Sequence, residues 1–161
     1  MKYRLPLAML GAMLVASSAH AVDADCQAII DAGRAKLRAP MVHDINVLDA
    51  KAGTTTEFIK INQNIWLKVD RGWKKMPLAV LTTMQKVSMD GITMSDCRQA
   101  GSERVGLIPT RIYSWSTSMG GKSYGNARVW VGSDGLPYKQ TSGNANSTTT
   151  YTGVVAPKVG Q

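Results

Sequence analysis

The sequence from Ser123 to Gln140, SYGNARVWVGSDGLPYKQ, alternates between two sets of side chains. One set is Tyr124, Asn126, Arg128 and Trp130, and the other is Ala127, Val129 and Val131. A period of two is the pattern of a β-strand. Ser133-Asp134-Gly135 then has the composition of a tight turn, because glycine adopts the positive φ that such turns need. Leu136-Pro137 begins a returning strand, so the stretch predicts an antiparallel hairpin.

Similar strand and turn patterns occur before and after this hairpin. Further strands are predicted at 43–49, 54–62, 65–69, 73–76, 103–106, 109–117 and 147–155. Short turns rich in Gly, Asn and Asp link most of them, as in an antiparallel meander.

Helical patterns precede and interrupt the strands. Residues 24–38 place apolar or small side chains at spacings of three and four, and Pro40 ends the pattern. The predicted apolar stripe is Cys26, Ile29, Ile30, Gly33 and Leu37. A second helix is predicted to start at Pro77, and a short helical or looped piece is predicted from Met94 to Ala100. This order predicts an α+β fold with helices packed against one face of an antiparallel sheet.

The N-terminal residues have the pattern of an export signal. Lys2 and Arg4 precede an apolar run from Leu5 to Ala16, and Ala19-His20-Ala21 matches a signal peptidase site. We therefore predict a cleaved signal at 1–21, a single domain at 22–156 and a flexible tail at 157–161. No cysteine directly follows the apolar run, so the prediction is a soluble periplasmic protein without a lipid anchor. No later stretch is long and apolar enough for a transmembrane segment.

The charge of the mature chain is moderately basic. Of 19 Lys and Arg residues, Lys2 and Arg4 are removed with the signal, which leaves 17 against 11 acidic residues and a net charge of +6. No nucleic-acid motif is present, so a nucleic-acid partner is not predicted. The basic cluster beside Trp73, formed by Lys74 and Lys75, is the candidate surface for a protein partner.

Cys26 and Cys97 are the only cysteines, and an exported protein is in an oxidising compartment. A disulfide between them is predicted, closing a loop of about seventy residues. The alternative is two free thiols or a metal site. A metal site is disfavoured because His43 is the only histidine of the mature chain.

No constellation of acid, base and nucleophile is apparent, so we predict a protein that is not an enzyme and needs no cofactor. His43 and Asp44 are neighbours in a predicted strand and point to opposite faces, which is incompatible with a catalytic pair. Gly120-Gly121-Lys122-Ser123 lies in a hairpin and lacks the upstream glycine of a phosphate-binding loop.

Four segments together carry a resemblance to a known family. They are Ile65-Trp66-Leu67, Gly72-Trp73-Lys74-Lys75-Met76-Pro77, Cys97-Arg98-Gln99-Ala100-Gly101-Ser102-Glu103, and Arg128-Val129-Trp130-Val131-Gly132 followed by Asp134-Gly135-Leu136-Pro137. With the export signal and the first helix, they resemble the periplasmic lipoprotein-carrier superfamily (LolA/LolB-like, with its lipid-binding lipoprotein relatives). The resemblance implies a strongly curved antiparallel sheet, an incomplete barrel, with helices on its concave face. It also implies an apolar cavity that takes acyl chains.

Two hypotheses for function follow, of which the resemblance supports the first. The first is a carrier of a lipid, an acyl chain or a lipoprotein, and the residues proposed to line its cavity are Trp66, Leu81, Met84, Trp115 and Trp130. The alternative is that these residues form an ordinary filled core between the sheet and the helices. The second hypothesis is an exported protein-interaction module, such as an immunity-type inhibitor or a chaperone of another exported protein.

Overall fold

The computed structural model describes residues 23–69, 72–77, 79–80 and 92–158. Within these ranges the chain forms a helix, α1 (Ala24–Arg38), and nine strands. The strands are β1 (Met41–Asp49), β2 (Thr54–Ile61), β3 (Asn64–Val69), β4 (Gly72–Met76), β5 (Ile92–Val105), β6 (Ile108–Met119), β7 (Lys122–Gly132), β8 (Pro137–Ser142) and β9 (Ala145–Thr150).

The strands form one sheet in the order β4-β3-β2-β1-β9-β8-β7-β6-β5. All pairings are antiparallel, and the first and last strands of the order are not joined, so the sheet is an incomplete barrel. Two meanders, β1–β4 and β5–β9, meet where β1 pairs with β9. The predicted α+β fold class is confirmed.

Helix α1 begins and ends as its sequence predicts. The side chain of Asp23 accepts a hydrogen bond from the backbone N–H of Asp25 at 3.0 Å, which satisfies a free donor of the first turn. Basic residues Lys36 and Arg38 lie in the last turn, where they complement the helix dipole. Pro40 follows and disfavours continuation of the helix.

The buried face of α1 differs from the predicted stripe. Ile29 and Ala32 are buried, whereas Gly33 is exposed and Leu37 is 43% exposed. The predicted stripe was therefore wrong at its C-terminal end. There, alanines and not Gly33 or Leu37 occupy the face that is turned towards the sheet.

The hairpin from Ser123 to Gln140 is confirmed as β7, a turn and β8. Ala127 and Val129 are buried on the face that packs under α1. Gly132 lies where the hairpin closes, and a Cβ there would lie 2.7 Å from the ring of Tyr138. The close approach of these backbone and ring atoms therefore requires glycine at this position.

The prediction for Met94–Ala100 was wrong, because these residues belong to β5. The pairing of β5 with β6 shifts register between Ser95 and Arg98 and again between Gln99 and Gly101. Asp96 has φ 55°, a left-handed conformation that accommodates the first irregularity. Cys97 lies at this irregularity and forms the predicted disulfide with Cys26, which is thereby confirmed.

The core between α1 and the sheet consists of two clusters. Under the first half of the helix, Ile29 packs with Tyr113, Trp115, Ala127 and Val129, together with the disulfide. Under its C-terminal end lie Ala39, Val42 and Tyr151.

Several predictions fall outside the described residues. These are the signal sequence at 1–21 and most of the second helix predicted from Pro77, of which residues 77, 79 and 80 are described. Among the described residues, no helix has both the length and the apolar character needed to cross a membrane.

Candidate functional site

A partly open cavity of about 690 Å³ lies between α1 and the sheet. Its sheet wall is formed where β6 begins and β7 ends, and the turn from β7 to β8 closes one side. The lining is largely apolar, with three charged residues, Asp31, Arg38 and Arg111.

The helix wall of the cavity exists because its side chains are small. Ala28, Ala32 and Ala35 line the cavity and recur at spacings of four and three, so they share one face of the helix. A methyl group reaches only a short distance from the helix axis, and space is left between helix and sheet. Larger residues at these positions would fill it.

The sheet wall has a gradient from apolar to charged. Along β6, Trp115, Tyr113 and Arg111 are two residues apart and point to the same face. Their partners on β7 are Ala127, Val129 and Val131 respectively. Trp115 and Tyr113 are buried in the core, whereas Arg111 is exposed. The row therefore starts in the apolar core and ends in a cation at the cavity mouth.

The three charged lining residues differ in their partners. The carboxylate of Asp31 lies 3.5 Å from the guanidinium of Arg34 and accepts a hydrogen bond from the side-chain amide of Gln27 at 2.9 Å. Arg38 and Arg111 form no ion pair or side-chain hydrogen bond with any residue of the described ranges. The unpaired charge at the cavity is therefore positive.

Helix α1 is held to the sheet at both ends. The disulfide joins its first turn to β5, and the Asp25 carboxylate accepts a hydrogen bond from the backbone N–H of Gln99 at 2.9 Å. Near the other end, the Lys36 ammonium lies 2.8 Å from the buried carboxylate of Asp44. The hydroxyl of Thr149 donates to the same carboxylate oxygen at 2.6 Å. The helix is thus a fixed wall of the cavity.

A second, smaller cavity of about 250 Å³ lies beside the C-terminal half of the helix. Lys36, Asn46, Leu48 and Gln140 contribute to its lining, which is more polar than that of the larger cavity. Leu48 is 54% exposed. The larger cavity is the better candidate for an apolar ligand.

Of the five residues predicted to line a cavity, the structure describes Trp66, Trp115 and Trp130, and these three do not share one side of the sheet. Trp115 lies on the helix-facing side, in the core next to the large cavity. Trp130 points to the opposite side of the sheet, where its indole N–H donates to Glu103 at 2.7 Å and the ammonium of Lys139 lies 4.4 Å from its ring centroid.

Trp66 also lies on the side of the sheet away from α1. Trp66 pairs with Ile59, and Ile59 pairs with His43, so the three side chains share one face of the sheet. Val42, the neighbour of His43, points to the other face, where it packs against Ala39 at the end of the helix. Leu81 and Met84 lie outside the described residues.

The predicted partner surface lies on β4, at one edge of the described sheet. Trp73 and Lys75 share a face, and Lys74 points to the other. The ammonium of Lys68 lies 5.8 Å from the ring centroid of Trp73. A role in binding a partner stays a prediction for these residues.

The cavity residues missed by the sequence analysis are the alanines of α1 and the two arginines. Their signal was present in the sequence: Ala28, Ala32 and Ala35 recur on one helix face, and Arg111 continues the alternation of Tyr113 and Trp115. The alanines were overlooked because the larger apolar residues of the helix were taken as its buried stripe.

A cluster of titratable groups lies on the other side of the sheet. The Glu57 carboxylate accepts from the ammonium of Lys68 and is 3.2 Å from Nε2 of His43. The hydrogen bond from Lys68 is the main cause that lowers the pKa of Glu57, with His43 contributing, while burial opposes the shift. This cluster does not face the cavity.

No protein-family model and no curated protein matches the sequence. Solved structures that are similar to it include two mycobacterial proteins. The Mycobacterium tuberculosis lipoprotein LppX is 18% identical with a TM-score of 0.47, over 80% of this chain and 94% of LppX. LprF from Mycobacterium bovis is 11% identical with a TM-score of 0.48, over 84% of this chain and 97% of LprF. Neither is LolA or LolB, so a specific relation to those carriers stays a prediction.

Proposed function

We propose that this chain is an exported, non-enzymatic carrier protein that holds a lipid or acyl chain in the cavity between α1 and the sheet. The observation that carries the proposal is the cavity of about 690 Å³, with a wall of alanines on one side and Tyr113 and Val131 on the other. A lipoprotein would be bound through its acyl chains in the same way.

The size and lining of the cavity suit such a ligand. Small-molecule sites typically measure roughly 300–1,000 Å³ and are lined mainly by apolar groups. Burial of an acyl chain contributes ~0.8 kcal/mol for each methylene removed from water, before the costs of association are subtracted. The partly open side gives a ligand access without unfolding of the helix.

A periplasmic location is part of the proposal. The disulfide between Cys26 and Cys97 supports export, because such bonds persist in oxidising compartments. The export signal predicted at 1–21 agrees with it.

A non-enzymatic role is supported by the position of the titratable groups. The cluster of His43, Glu57 and Lys68 lies on the opposite side of the sheet from the cavity. The charged groups at the cavity, two unpaired arginines and one paired carboxylate, suit binding better than proton transfer.

The interaction-module hypothesis rests on β4, an edge strand that carries Trp73, Lys74 and Lys75. Lysines on edge strands also prevent unwanted pairing with other chains. The lysines therefore have an explanation that needs no partner.

Filling the cavity should abolish binding of an acyl chain. Ala35→Leu adds a branched side chain to the helix wall, and we expect the affinity for a fluorescently labelled fatty acid to fall at least tenfold. The measurement is the fluorescence anisotropy of the labelled fatty acid, titrated with the same series of concentrations of each protein. Gly33→Leu is the matched control, because Gly33 is on the exposed side of the same helix and a Cβ there meets no atom within 4 Å. Equal binding by Ala35→Leu and the unmodified protein would contradict the proposal.

A further inference from the structure

We infer that Arg38 and Arg111 form a headgroup subsite at the mouth of the large cavity, and that the ligand is an amphiphile with an anionic headgroup. The headgroup chemistry is a carboxylate or a phosphate. This inference rests on the proposed function and specifies the class of ligand.

Arg111 is placed at the mouth by the alternation of β6. It continues the helix-facing row of Trp115 and Tyr113, and all three are directly opposite β7 residues of the cavity or core. A chain lying along this row would contact apolar groups first and reach a guanidinium at the end. Ser102 on β5 pairs with Arg111 and also lines the cavity, so its hydroxyl is a second donor at this place.

Arg38 is placed at the cavity by the helix. It is the last residue of α1 and lies three residues beyond Ala35, on the same cavity-lining face. At 1.5 Å per residue, Arg38 is about 15 Å along the helix axis from Ala28. The helix wall therefore ends in a cation, Arg38, as the row on the sheet wall ends in Arg111.

The charges at the cavity favour an anion over a neutral or cationic headgroup. Asp31, the one acidic lining residue, is already paired with Arg34 and hydrogen-bonded to Gln27. Arg38 and Arg111 are exposed and have no ionic partner in the described ranges. Each guanidinium group can donate two parallel hydrogen bonds to the charged oxygens of a carboxylate or a phosphate. A neutral ester has no charged pair of oxygens to accept them.

The test compares ligands that differ only in headgroup charge. The first pair is pyrene-labelled dodecanoic acid and its methyl ester, and the second is a labelled lysophosphatidic acid and the matching monoacylglycerol. The proteins are the unmodified chain, Arg38→Gln, Arg111→Gln and the double variant. Arg128→Gln is the control, because Arg128 is an exposed arginine whose side chain is on the opposite face of the sheet from Val129.

We expect the unmodified chain to bind an anionic probe at least tenfold more tightly than its neutral counterpart. Each cavity arginine variant should weaken anion binding about tenfold and change binding of the neutral probe by less than twofold. Arg128→Gln should behave as the unmodified chain. The preference between the carboxylate and phosphate pairs then identifies which headgroup the subsite takes.

Two results would overturn the subsite. Equal affinity for charged and uncharged probes, unchanged in the double variant, would leave the carrier function intact and remove the headgroup inference. An equal loss with Arg128→Gln would assign the effect to overall charge. Failure of both charged and uncharged probes to bind would instead contradict the carrier function itself.

Discussion

Glu57 is a carboxylate whose ionisation contributes to stability. Its side chain is 24% exposed and accepts hydrogen bonds from Lys68 and His43, which hold its pKa below the ordinary value. A carboxylate with a lowered folded-state pKa stabilises the fold above its unfolded pKa. That stabilisation is lost as the pH falls through the folded-state pKa.

Glu57→Gln should therefore flatten the acid side of the stability profile. We expect the free energy of unfolding of the unmodified chain to fall more steeply below about pH 4.5 than that of Glu57→Gln. Urea denaturation at pH 7, 5 and 3 measures the difference. Parallel profiles for the two proteins would show that the carboxylate is no better stabilised in the folded chain than in the unfolded one.

At the scale of elements, the disulfide fixes the first turn of α1 to the irregularity in β5. It joins cysteines 71 residues apart, and in the chain-entropy model a loop of this length is worth about 4 kcal/mol. It also holds one end of a helix that forms a wall of the cavity.

Replacing both cysteines, Cys26→Ser with Cys97→Ser, should lower the free energy of unfolding by about 4 kcal/mol. The double variant should also bind an acyl chain more weakly, because the helix wall loses an anchor. Urea denaturation and fatty-acid anisotropy measure the two effects. The control is the unmodified chain treated with a reducing agent, which should show the same losses of stability and binding as the double variant. If the double variant and the reduced chain had the same urea denaturation midpoint as the oxidised chain, the stabilising role of the disulfide would be contradicted.

The elements of regular pattern could be predicted from the sequence. The helix of residues 24–38 and the hairpin of β7 and β8 follow from periodicity, a capping residue and turn chemistry. The segment Met94–Ala100 could not be predicted, because the irregularity at Asp96 and Cys97 interrupts the period of two. Arg98, Gln99 and Ala100 are also residues common in helices, and they are exposed here.

The cavity is a property of the whole molecule, and the sequence indicated it only in part. A resemblance predicted an apolar space against the concave face, but the aromatic residues named for it point to different sides of the sheet. The reason is that the alternation of side chains along a strand shows which residues share a face, but it does not show which face the helix covers. The helix wall of Ala28, Ala32 and Ala35 was not predicted, because the search for lining residues considered large apolar side chains and this wall is formed by small ones.

Native mass spectrometry tests the proposed carrier function most directly. The chain is purified with its disulfide intact, and its mass is compared before and after organic extraction. We predict a mass above that of the oxidised chain, lost on extraction and identified in the extract as an amphiphile. Ala35→Leu should carry less of it. A bare mass before and after extraction, with no uptake of labelled fatty acid, would contradict the carrier function.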